Sequence, residues 1–388
     1  MSFSDRVPPP TLPNALTAKL AELRALGKAV IDLTETNPTA VGLPYPPDLL
    51  EALANPSGMR YEPDAFGMPS ARAAVAAEYR RRGAGVAPEQ VVLTASTSEA
   101  YTWIFKLLCN PGDRVRVPRP SYPLFEHLAQ LEGVILEPYD LSYHGRWEMD
   151  MGAIARPGAD VRAVIVVTPN NPTGSCVSVD ERRQLFEICR QRGWAVVADE
   201  VFVDYRLESG DVATDLAVDA PCLAVTLGGL SKSIGLPQLK LGWMIVGGPQ
   251  DVREAALSRL ELIADSFLSV ATPVQVALPA LLERGRSIRA AIHDRVSINL
   301  STLRHVVAEF DPCDALKVEG GWAAVIRVPA TRSEDAIVLD VLERENVLTY
   351  PGFFFDFRHE AYLVVSLLVA PAVFAEALPR VLRVATTP

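Results

Sequence analysis

Cysteine is scarce in this chain, and its placement fits neither a disulfide framework nor a zinc site. The cysteines number five, lie far apart and include no CxxC pair: Cys109, Cys176, Cys189, Cys222 and Cys313. An odd, scattered set of this kind is typical of proteins from a reducing compartment. We therefore expect free thiols and no metal site.

Long basic runs and long apolar runs are also missing. The formal net charge is −10, so nucleic acid and anionic membranes are unfavourable partners. The uncharged stretch 266–282 contains Pro273 and Pro279, and the stretch 361–375 is too short to span a bilayer. The first residues lack the charged-then-apolar order of a signal peptide. We expect a cytoplasmic protein that binds neither nucleic acid nor membranes.

The length and composition indicate a globular protein of more than one domain. The 388 residues are 49% hydrophobic and 22% charged, which is ordinary for globular proteins but too long for one ordinary domain. We expect an N-terminal arm and helix, 1–45, that joins a small domain. A large domain, 46–285, and a small C-terminal domain, 286–388, complete the prediction.

Short apolar runs alternate with helical patterns through the middle of the chain. The runs 161–167 and 194–198 are almost continuously apolar, and the helical pattern 179–192 separates them. This order is typical of a mostly parallel sheet that helices cover on both faces. The sequence therefore predicts an α/β fold for the large domain.

The last hundred residues have a different pattern, which predicts a small α+β domain. Its expected strands and helices are 318–328, 347–349, 362–367, 334–345 and 371–384. Because proline cannot donate a main-chain hydrogen bond, we expect the last helix to be broken or kinked at Pro379.

Asp199 directly follows the apolar run 194–198. Ligands of open α/β sheets bind beyond the carboxyl ends of the strands, and a buried acid there needs a partner. A carboxylate suits the protonated ring nitrogen of pyridoxal 5'-phosphate (PLP), because that proton makes the ring a better electron sink. For Asp199 alone, a helix N-cap or a sheet-end salt bridge is the simpler interpretation.

Lys232 lies among small residues after the apolar run 223–227. Desolvation in such a loop lowers the pKa of an amine and frees its neutral form to make an imine. The alternative is an ordinary surface lysine, which the neighbouring residues disfavour.

Two other runs also end in polar groups. The run 161–167 leads into the turn 168–174, where two prolines and a glycine hold Asn171 so that its amide can donate to a phenolate oxygen. The run 91–93 leads to Ser96 and Thr97 at a helix start, where hydroxyl and main-chain N–H groups form an anion site. Ser96 and Glu99 also have the spacing of a capping box, and both interpretations hold together.

Taken in order, these motifs resemble those of the fold-type I PLP-dependent aminotransferases of class I and II. The resemblance covers nearly the whole chain and is carried by Tyr61 and Gly67, 94–100, Pro120-Ser121-Tyr122-Pro123, Asn171-Pro172-Thr173-Gly174, Asp199-Glu200, Ser231-Lys232, Leu241-Gly242-Trp243, Gly320-Gly321-Trp322 and Pro351-Gly352. It implies a large α/β domain that binds PLP and a small α+β domain beside it.

The resemblance also implies a role for each polar group. Lys232 would hold PLP as an internal aldimine and carry the proton between substrate and cofactor, Asp199 would bind the pyridine nitrogen, and Asn171 the phenolic oxygen. Tyr122 would stack on the ring, or else be a core tyrosine. Tyr61 would reach the phosphate of the partner subunit, so a homodimer with shared active sites is implied. The remaining phosphate-binding positions are Ser96, Thr97, Ser231 and Lys240.

Three positions depart from the family pattern. Phe202 stands where a tyrosine commonly donates to the phenolic oxygen, so we expect a higher aldimine pKa. Lys240 stands where an arginine usually clamps the phosphate, and it offers charge without a bidentate fork. Val364 stands where the resemblance places the arginine that binds the substrate carboxylate.

The departure at Val364 leaves two alternatives. Either another cation takes over, with Arg358 and Arg327 as candidates, or the substrate lacks a conventionally placed α-carboxylate. Both arginines also suit an ordinary surface position. Thr36 or Asn37 replaces a substrate-contacting glycine of the family, so the substrate half of the site is predicted to be rewritten.

The main hypothesis is therefore an aminotransferase that works by a ping-pong route between an amino donor and a keto or aldehyde acceptor. The alternative is a PLP-dependent lyase, decarboxylase or cyclising enzyme on the same fold. A third hypothesis, a binding or regulatory module, is disfavoured because Lys232 and Asp199 are both retained.

Overall fold

The structure is a computed structural model that describes residues 3–9 and 12–387. Part of the expected N-terminal arm (residues 1, 2, 10 and 11) lies outside the described residues, as does residue 388. The helices are α1 (Ala15–Ala25), α2 (Pro69–Arg81), α3 (Thr97–Leu108), α4 (Leu124–Glu132), α5 (Met151–Ala155), α6 (Val179–Arg192), α7 (Leu230–Ser233), α8 (Gln250–Asp265), α9 (Thr272–Arg284), α10 (Arg286–Val307), α11 (Glu334–Glu345) and α12 (Pro371–Ala385).

The strands are β1 (Ile31–Asp32), β2 (Val91–Thr94), β3 (Arg114–Arg119), β4 (Ile135–Tyr143), β5 (Trp147–Met149), β6 (Val161–Val167), β7 (Ala195–Asp199), β8 (Ala224–Gly229), β9 (Gly242–Gly247), β10 (Asp314–Ala315), β11 (Ala323–Arg327), β12 (Val347–Leu348), β13 (Tyr350–Pro351) and β14 (Tyr362–Ser366). Short 3-10 helices lie at Pro38–Ala40, Leu49–Ala54, Pro56–Met59, Pro88–Gln90, Pro237–Leu239 and Gly352–Phe355.

The main sheet has the strand order β2-β9-β8-β7-β6-β3-β4-β5. The neighbours from β8 to β4 pair in parallel, whereas β9 and β5 run antiparallel to the strands beside them. The predicted mostly parallel α/β sheet is therefore confirmed. Since parallel strands share a direction, the polar residues that come after them gather at one edge.

The apolar runs are continuous because the sheet is buried on both faces. In β6, Val164 and Val166 pack into one hydrophobic cluster, whereas Ala163 and Ile165 pack into a second cluster on the other face. This alternation results from the two-residue period of a strand, and it explains why the run is apolar except for the exposed Arg162 near its start.

The C-terminal segment forms a smaller antiparallel sheet of order β10-β11-β14-β13. The N-terminal segment joins this part of the molecule, because β1 pairs in parallel with β12 and α1 packs on α11. The main sheet falls within 46–285 and the smaller sheet within 286–388, on the two sides of the expected boundary.

Two expected elements differ from the structure. The expected strand 318–328 is reduced to Ala323–Arg327, because the N–H groups of Glu319 and Gly320 both donate to Gly174 O, at 2.9 and 3.0 Å, outside any sheet. Helix α12 runs through Pro379 without a break, where the adjacent Leu378 is fully buried among the residues that α12 packs on. Tertiary packing thus outweighs the local cost of the proline.

Among residues 3–9 and 12–387, no helix is both long enough and apolar enough to cross a membrane.

Candidate active site

A cavity of about 180 Å³ lies at the carboxyl ends of the parallel strands, and we call it the Lys232 cavity. Asp199 ends β7, Val167 ends β6 and Gly229 ends β8, so the sheet itself carries these residues to one place. The lining residues are Thr36, Ser96, Thr97, Tyr101, Tyr122, Leu124, Phe125, Val167, Asn171, Asp199, Val201, Phe202, Gly229, Ser231, Lys232, Leu241, Gly242, Trp322 and Ala323.

The amine of Lys232 is the reactive group of this cavity. Lys232 lies on the short helix α7, directly after β8, and its Nζ sits 5.0 Å from the ring centre of Trp322 and 5.6 Å from that of Phe202. Burial lowers its pKa to about 8, although the charge of Asp199 acts in the opposite direction. A buried amine with this pKa is neutral in part of the molecules near neutral pH and is then nucleophilic.

Asp199 supplies a buried negative charge in the same cavity. Its Oδ2 accepts a hydrogen bond of 3.1 Å from the hydroxyl of Tyr101, and its Oδ1 accepts one of 3.2 Å from the Val201 N–H. Burial raises the pKa of Asp199 to about 6, while both hydrogen bonds and the charge of Lys232 lower it. The carboxylate is thus held in place and stays mostly ionised at neutral pH.

The turn 168–174 presents Asn171 to the cavity. The side chain of the preceding Asn170 holds the turn, because its Oδ1 accepts a 2.9 Å hydrogen bond from the Thr173 hydroxyl. Gly174 has a φ of +67°, and its N–H donates to Asn170 O at 2.8 Å. An added Cβ on Gly174 would lie 2.6 Å from Val318 Cγ1, so close packing as well as backbone conformation requires glycine.

The start of α3 brings hydroxyl groups to the cavity. Ser96 is the N-cap residue of α3, and its Oγ accepts a 3.1 Å hydrogen bond from the Glu99 N–H. The Glu99 carboxylate accepts from the Ala95 N–H at 2.6 Å, one residue before the position that a capping box uses. Thr97 and Ser231 also line the cavity, so the cavity wall includes a helix N-terminus and hydroxyl-bearing residues.

Comparison with known proteins identifies the family. The sequence pattern of the family described as "Aminotransferase class I and II" matches residues 28–378. The chain belongs to this family. The predicted PLP-enzyme family and its aminotransferase class are therefore confirmed, and the alternative of a lyase, decarboxylase or cyclising enzyme is not favoured.

Individual relatives of this aminotransferase agree with the family. It is 29% identical over 368 residues to the glutamate-pyruvate aminotransferase AlaA of Haemophilus influenzae, and the aligned segment covers 92% of this chain and 91% of that protein. A crystal structure of an aminotransferase from Escherichia coli has a TM-score of 0.85 at 26% identity and covers 95% of this chain and 94% of that one. A double mutant of the aspartate aminotransferase of Thermus thermophilus shares the fold, with a TM-score of 0.86 at 22% identity, and the match covers 99% of this chain and 100% of that one.

Most of the residues singled out from the aminotransferase sequence line the Lys232 cavity. They are Lys232, Asp199, Tyr122, Ser96, Thr97, Asn171, Phe202, Ser231 and Thr36. The ring of Tyr122 is about half exposed at the cavity wall, whereas Phe202 is buried with its ring 5.2 Å from that of Trp322.

Three other predicted residues lie outside the cavity lining. Lys240 is exposed in a left-handed conformation with a φ of +49°, directly before the lining residue Leu241. Asn37 caps a 3-10 helix, where its Oδ1 accepts from the Thr39 N–H at 3.1 Å. Tyr61 is 70% exposed and lines a separate surface cavity together with Leu268.

The two candidate substitutes for the substrate-binding arginine line a different cavity. Arg358 pairs with Asp140 at 2.6 Å and Arg327 pairs with Asp314 at 2.8 Å, both at the surface between β4 and the smaller sheet. Val364 is buried in β14. Among the described residues that line the Lys232 cavity, Lys232 is the only cation and Asp199 the only acid.

Sequence reasoning missed Tyr101, which the structure places against Asp199. A signal was available, because Tyr101 comes four positions after the predicted phosphate-site residue Thr97 and so lies one turn along the same helix face. Trp322 was noted as part of a motif, yet its place beside the Lys232 amine depends on the smaller sheet and has no local signal.

Proposed function

We propose that this aminotransferase binds PLP in the Lys232 cavity and attaches it to the Lys232 amine. When bound, PLP supplies an aldehyde that takes up the amino group and a ring that withdraws electrons from the reacting carbon. The observation that carries the proposal is a buried lysine of lowered pKa in one cavity with a buried, hydrogen-bonded carboxylate.

The lining residues include a suitable partner for each part of such a cofactor. Asp199 would hold the ring nitrogen through its carboxylate, and Asn171 would donate its amide N–H to the phenolic oxygen. The ring of Tyr122 offers an aromatic face for stacking. Hydroxyl groups and the main-chain N–H groups at the start of α3 would hold the phosphate, with the residues Ser96, Thr97 and Ser231.

Lys232 has a second task once the substrate amino group has displaced it. Its free amine would then lie close to the substrate Cα, where a neutral amine can accept a proton and donate it again. The Asp199 carboxylate would hold the ring nitrogen in its protonated form. The aromatic rings of Phe202 and Trp322 exclude water from the amine.

Hydride reduction of the loaded enzyme, followed by digestion and mass spectrometry, tests the attachment. We expect the cofactor mass on the peptide that contains Lys232, and Lys232→Ala should carry no stable label. Lys240→Ala serves as the control and should still be labelled at Lys232. A label on another lysine in the wild-type protein would refute the proposal.

For the substrate, we propose that the amino donor needs no α-carboxylate. The proposal is supported by the cavity lining, in which Lys232 is the only cation among the described residues, and by the surface pairs of Arg358 and Arg327. The apolar wall of Leu124, Phe125 and Val201 suits an apolar substrate group.

Matched amino donors test the substrate proposal. We expect the cofactor of the loaded enzyme to be converted as fast by phenethylamine as by phenylalanine, since the two differ only by the carboxylate. A strong preference for phenylalanine would overturn the proposal. If neither donor converts the cofactor but another amine does, the enzyme prefers a substrate side chain other than the phenyl group. Transamination would then still be supported.

We propose further that the enzyme is a cytoplasmic homodimer with shared active sites. Tyr61 is exposed beside other exposed apolar residues such as Met59, which supports a face that a second subunit covers. We retain the division into 1–45 with the small domain, 46–285 as the large PLP-binding domain and 286–388 as the small domain. The pairing of β1 with β12 supports that division.

A further inference from the structure

The main chain immediately after Lys232 is held by side chains rather than by a continuing helix. Helix α7 has only four residues, so no further turn of the helix supplies main-chain donors to the carbonyl groups of Lys232 and Ser233. The carbonyl oxygens of Lys232, Ser233 and Gly235 each accept a hydrogen bond from a side chain. Such buried carbonyls cost free energy when they lack a donor.

Tyr205 is the central donor. Its hydroxyl lies 2.6 Å from Lys232 O and 3.2 Å from Ser233 O, and the residue is fully buried. Its ring packs edge-on against Trp322 at 5.1 Å between ring centres. Tyr205 therefore joins the main chain of Lys232 to one of the rings that contacts the Lys232 amine.

Arg289 holds the next carbonyl and is itself fixed by charge. Its Nε donates to Ser233 O at 3.0 Å, and its Nη2 donates to Glu78 at 2.9 Å. Asp204 lies 3.4 Å from the same Nε, and Arg81 pairs with both acids. Because the acids are shared between two arginines, this network leaves Arg289 little freedom.

Tyr45 completes the set from the N-terminal segment. Its hydroxyl donates to Gly235 O at 2.6 Å, where the chain turns with a φ of +66°. The three donors thus come from the three expected units of the chain, 1–45, 46–285 and 286–388. Each of these units therefore contributes one hydrogen bond to the segment that carries the reactive amine.

We propose that Tyr205, Arg289 and Tyr45 are positioning residues that fix the Lys232 main chain and keep its amine inside the cavity. This inference rests on the proposed function only for the importance of Lys232. Without the donors, the turn would relax to satisfy its carbonyls, and the amine would reach water more often. Asp199 is the charged group that faces the amine from the neighbouring strand, and the substitutions leave it unchanged.

The test measures the Lys232 amine in the protein without cofactor. Competitive acylation with acetic anhydride over a range of pH, read by mass spectrometry of the Lys232 peptide, gives the apparent pKa of this amine. Tyr205→Phe removes the hydroxyl and keeps the ring, and we expect the apparent pKa to rise from near 8 by roughly half a unit or more as desolvation is lost. Tyr45→Phe should shift it in the same direction.

Tyr139→Phe is the matched control. Tyr139 is also buried, and its hydroxyl donates to a main-chain carbonyl, Ile165 O, at 2.8 Å, but in the sheet rather than beside Lys232. It should lose similar stability and leave the Lys232 pKa unchanged. An unchanged pKa in both Tyr205→Phe and Tyr45→Phe, or an equal shift in Tyr139→Phe, would overturn the inference.

The acylation result does not depend on cofactor attachment. If hydride trapping found the cofactor on another lysine, the proposed function would fail, whereas the measured shift would still decide whether these donors position Lys232. Arg289 is not substituted in this test, because its loss would leave the buried acids Glu78 and Asp204 without one of their cationic partners.

Discussion

At the scale of single residues, the chemistry depends on two buried groups of opposite charge, and each shifts the pKa of the other. Burial disfavours both the ammonium form of Lys232 and the carboxylate form of Asp199, so their pKa values move toward each other, to about 8 and about 6. Each charge partly offsets the burial cost of the other. A change at one residue must therefore be visible in the titration of the other.

The first prediction concerns the pH dependence of cofactor attachment to the protein without cofactor. Only the neutral amine reacts, so the rate should rise with pH through a midpoint near 8. Asp199→Asn removes the charge that favours the ammonium form, so the midpoint should move to lower pH. Stopped-flow absorbance measures the rate. Asp180→Asn, an exposed acid on α6, should leave the midpoint unchanged, and an upward shift in Asp199→Asn would contradict the argument.

The second prediction concerns Tyr101, whose hydroxyl lowers the pKa of Asp199. Tyr101→Phe should raise that pKa above about 6, so fewer carboxylates are ionised in mildly acidic solution. We expect cofactor binding to weaken roughly tenfold or more at pH 6, as one lost hydrogen bond to a charge implies, and less at pH 8. Equilibrium dialysis at both values measures this. An equal loss at the two pH values would show that Tyr101 acts only through packing.

At the scale of secondary structure, the site is built from the segments at the carboxyl ends of the strands. The strands that lead into these segments, β2, β6 and β8, are all largely apolar, whereas the turn 168–174, the start of α3 and helix α7 each present a different group. The turn 168–174 also contacts the segment that leads into the smaller sheet, because Gly174 O accepts from Glu319 and Gly320. That contact places the residues leading to Trp322 beside the cavity.

The third prediction compares two glycines with the same backbone conformation. Gly174 and Gly193 have φ values of +67° and +69°, but an added Cβ meets Val318 and Gly320 at Gly174 and nothing within 4 Å at Gly193. Gly193→Ala should cost about 1 kcal/mol of unfolding free energy from backbone strain alone. Gly174→Ala should cost roughly 3 kcal/mol or more, because packing strain is added.

Urea denaturation of both glycine variants measures the difference. Equal losses of unfolding free energy would show that the contact between the turn 168–174 and the segment 318–320 accommodates an added methyl group at little cost. In that case, the position of Trp322 would not depend on Gly174.

Some elements had clear local signals and others had none. Helix α6 has the expected bounds because Ser178 caps it and Gly193 ends it, and both signals lie in the sequence itself. The hairpin of β4 with β5 and the short strands β10 and β13 were not expected, because β5, β10 and β13 have only two or three residues, too few to show an alternating pattern. The break expected at Pro379 is absent from α12, because burial of the surrounding helix outweighs a local propensity.

At the scale of the whole molecule, the N-terminal segment, the large sheet and the C-terminal segment all contribute to one cavity. Thr36, Lys232 and Trp322 come from the three parts and line it together. In the proposed homodimer, a second subunit adds a fourth part through its exposed Tyr61. Assembly and activity are then expected to depend on each other.

The fourth prediction tests sharing between subunits. Neither Lys232→Ala nor Tyr61→Ala should bind the cofactor tightly alone. A mixture that exchanges subunits should regain about one quarter of the sites, because half of the dimers are mixed and each mixed dimer has one intact site. Sedimentation gives the assembly state and retained cofactor absorbance gives the sites. No recovery in a mixture that has demonstrably exchanged would rule out shared sites.

The sequence by itself determined the fold class, the family and the order of polar groups at the strand ends. It could do so because burial on both faces of a parallel sheet makes strands continuously apolar, and because the residues after those strands meet at one edge whatever the loops do. Lys232, Asp199 and Asn171 were all identifiable for this reason.

Only the tertiary structure decided which side chains from distant elements complete the cavity. Trp322 beside the Lys232 amine and Tyr205 on the Lys232 carbonyl depend on how helices and the smaller sheet pack against the large one. It also placed Arg327 and Arg358 in surface pairs outside the cavity. Contacts between residues far apart in the chain leave no periodic or local pattern, because their geometry is set by packing alone.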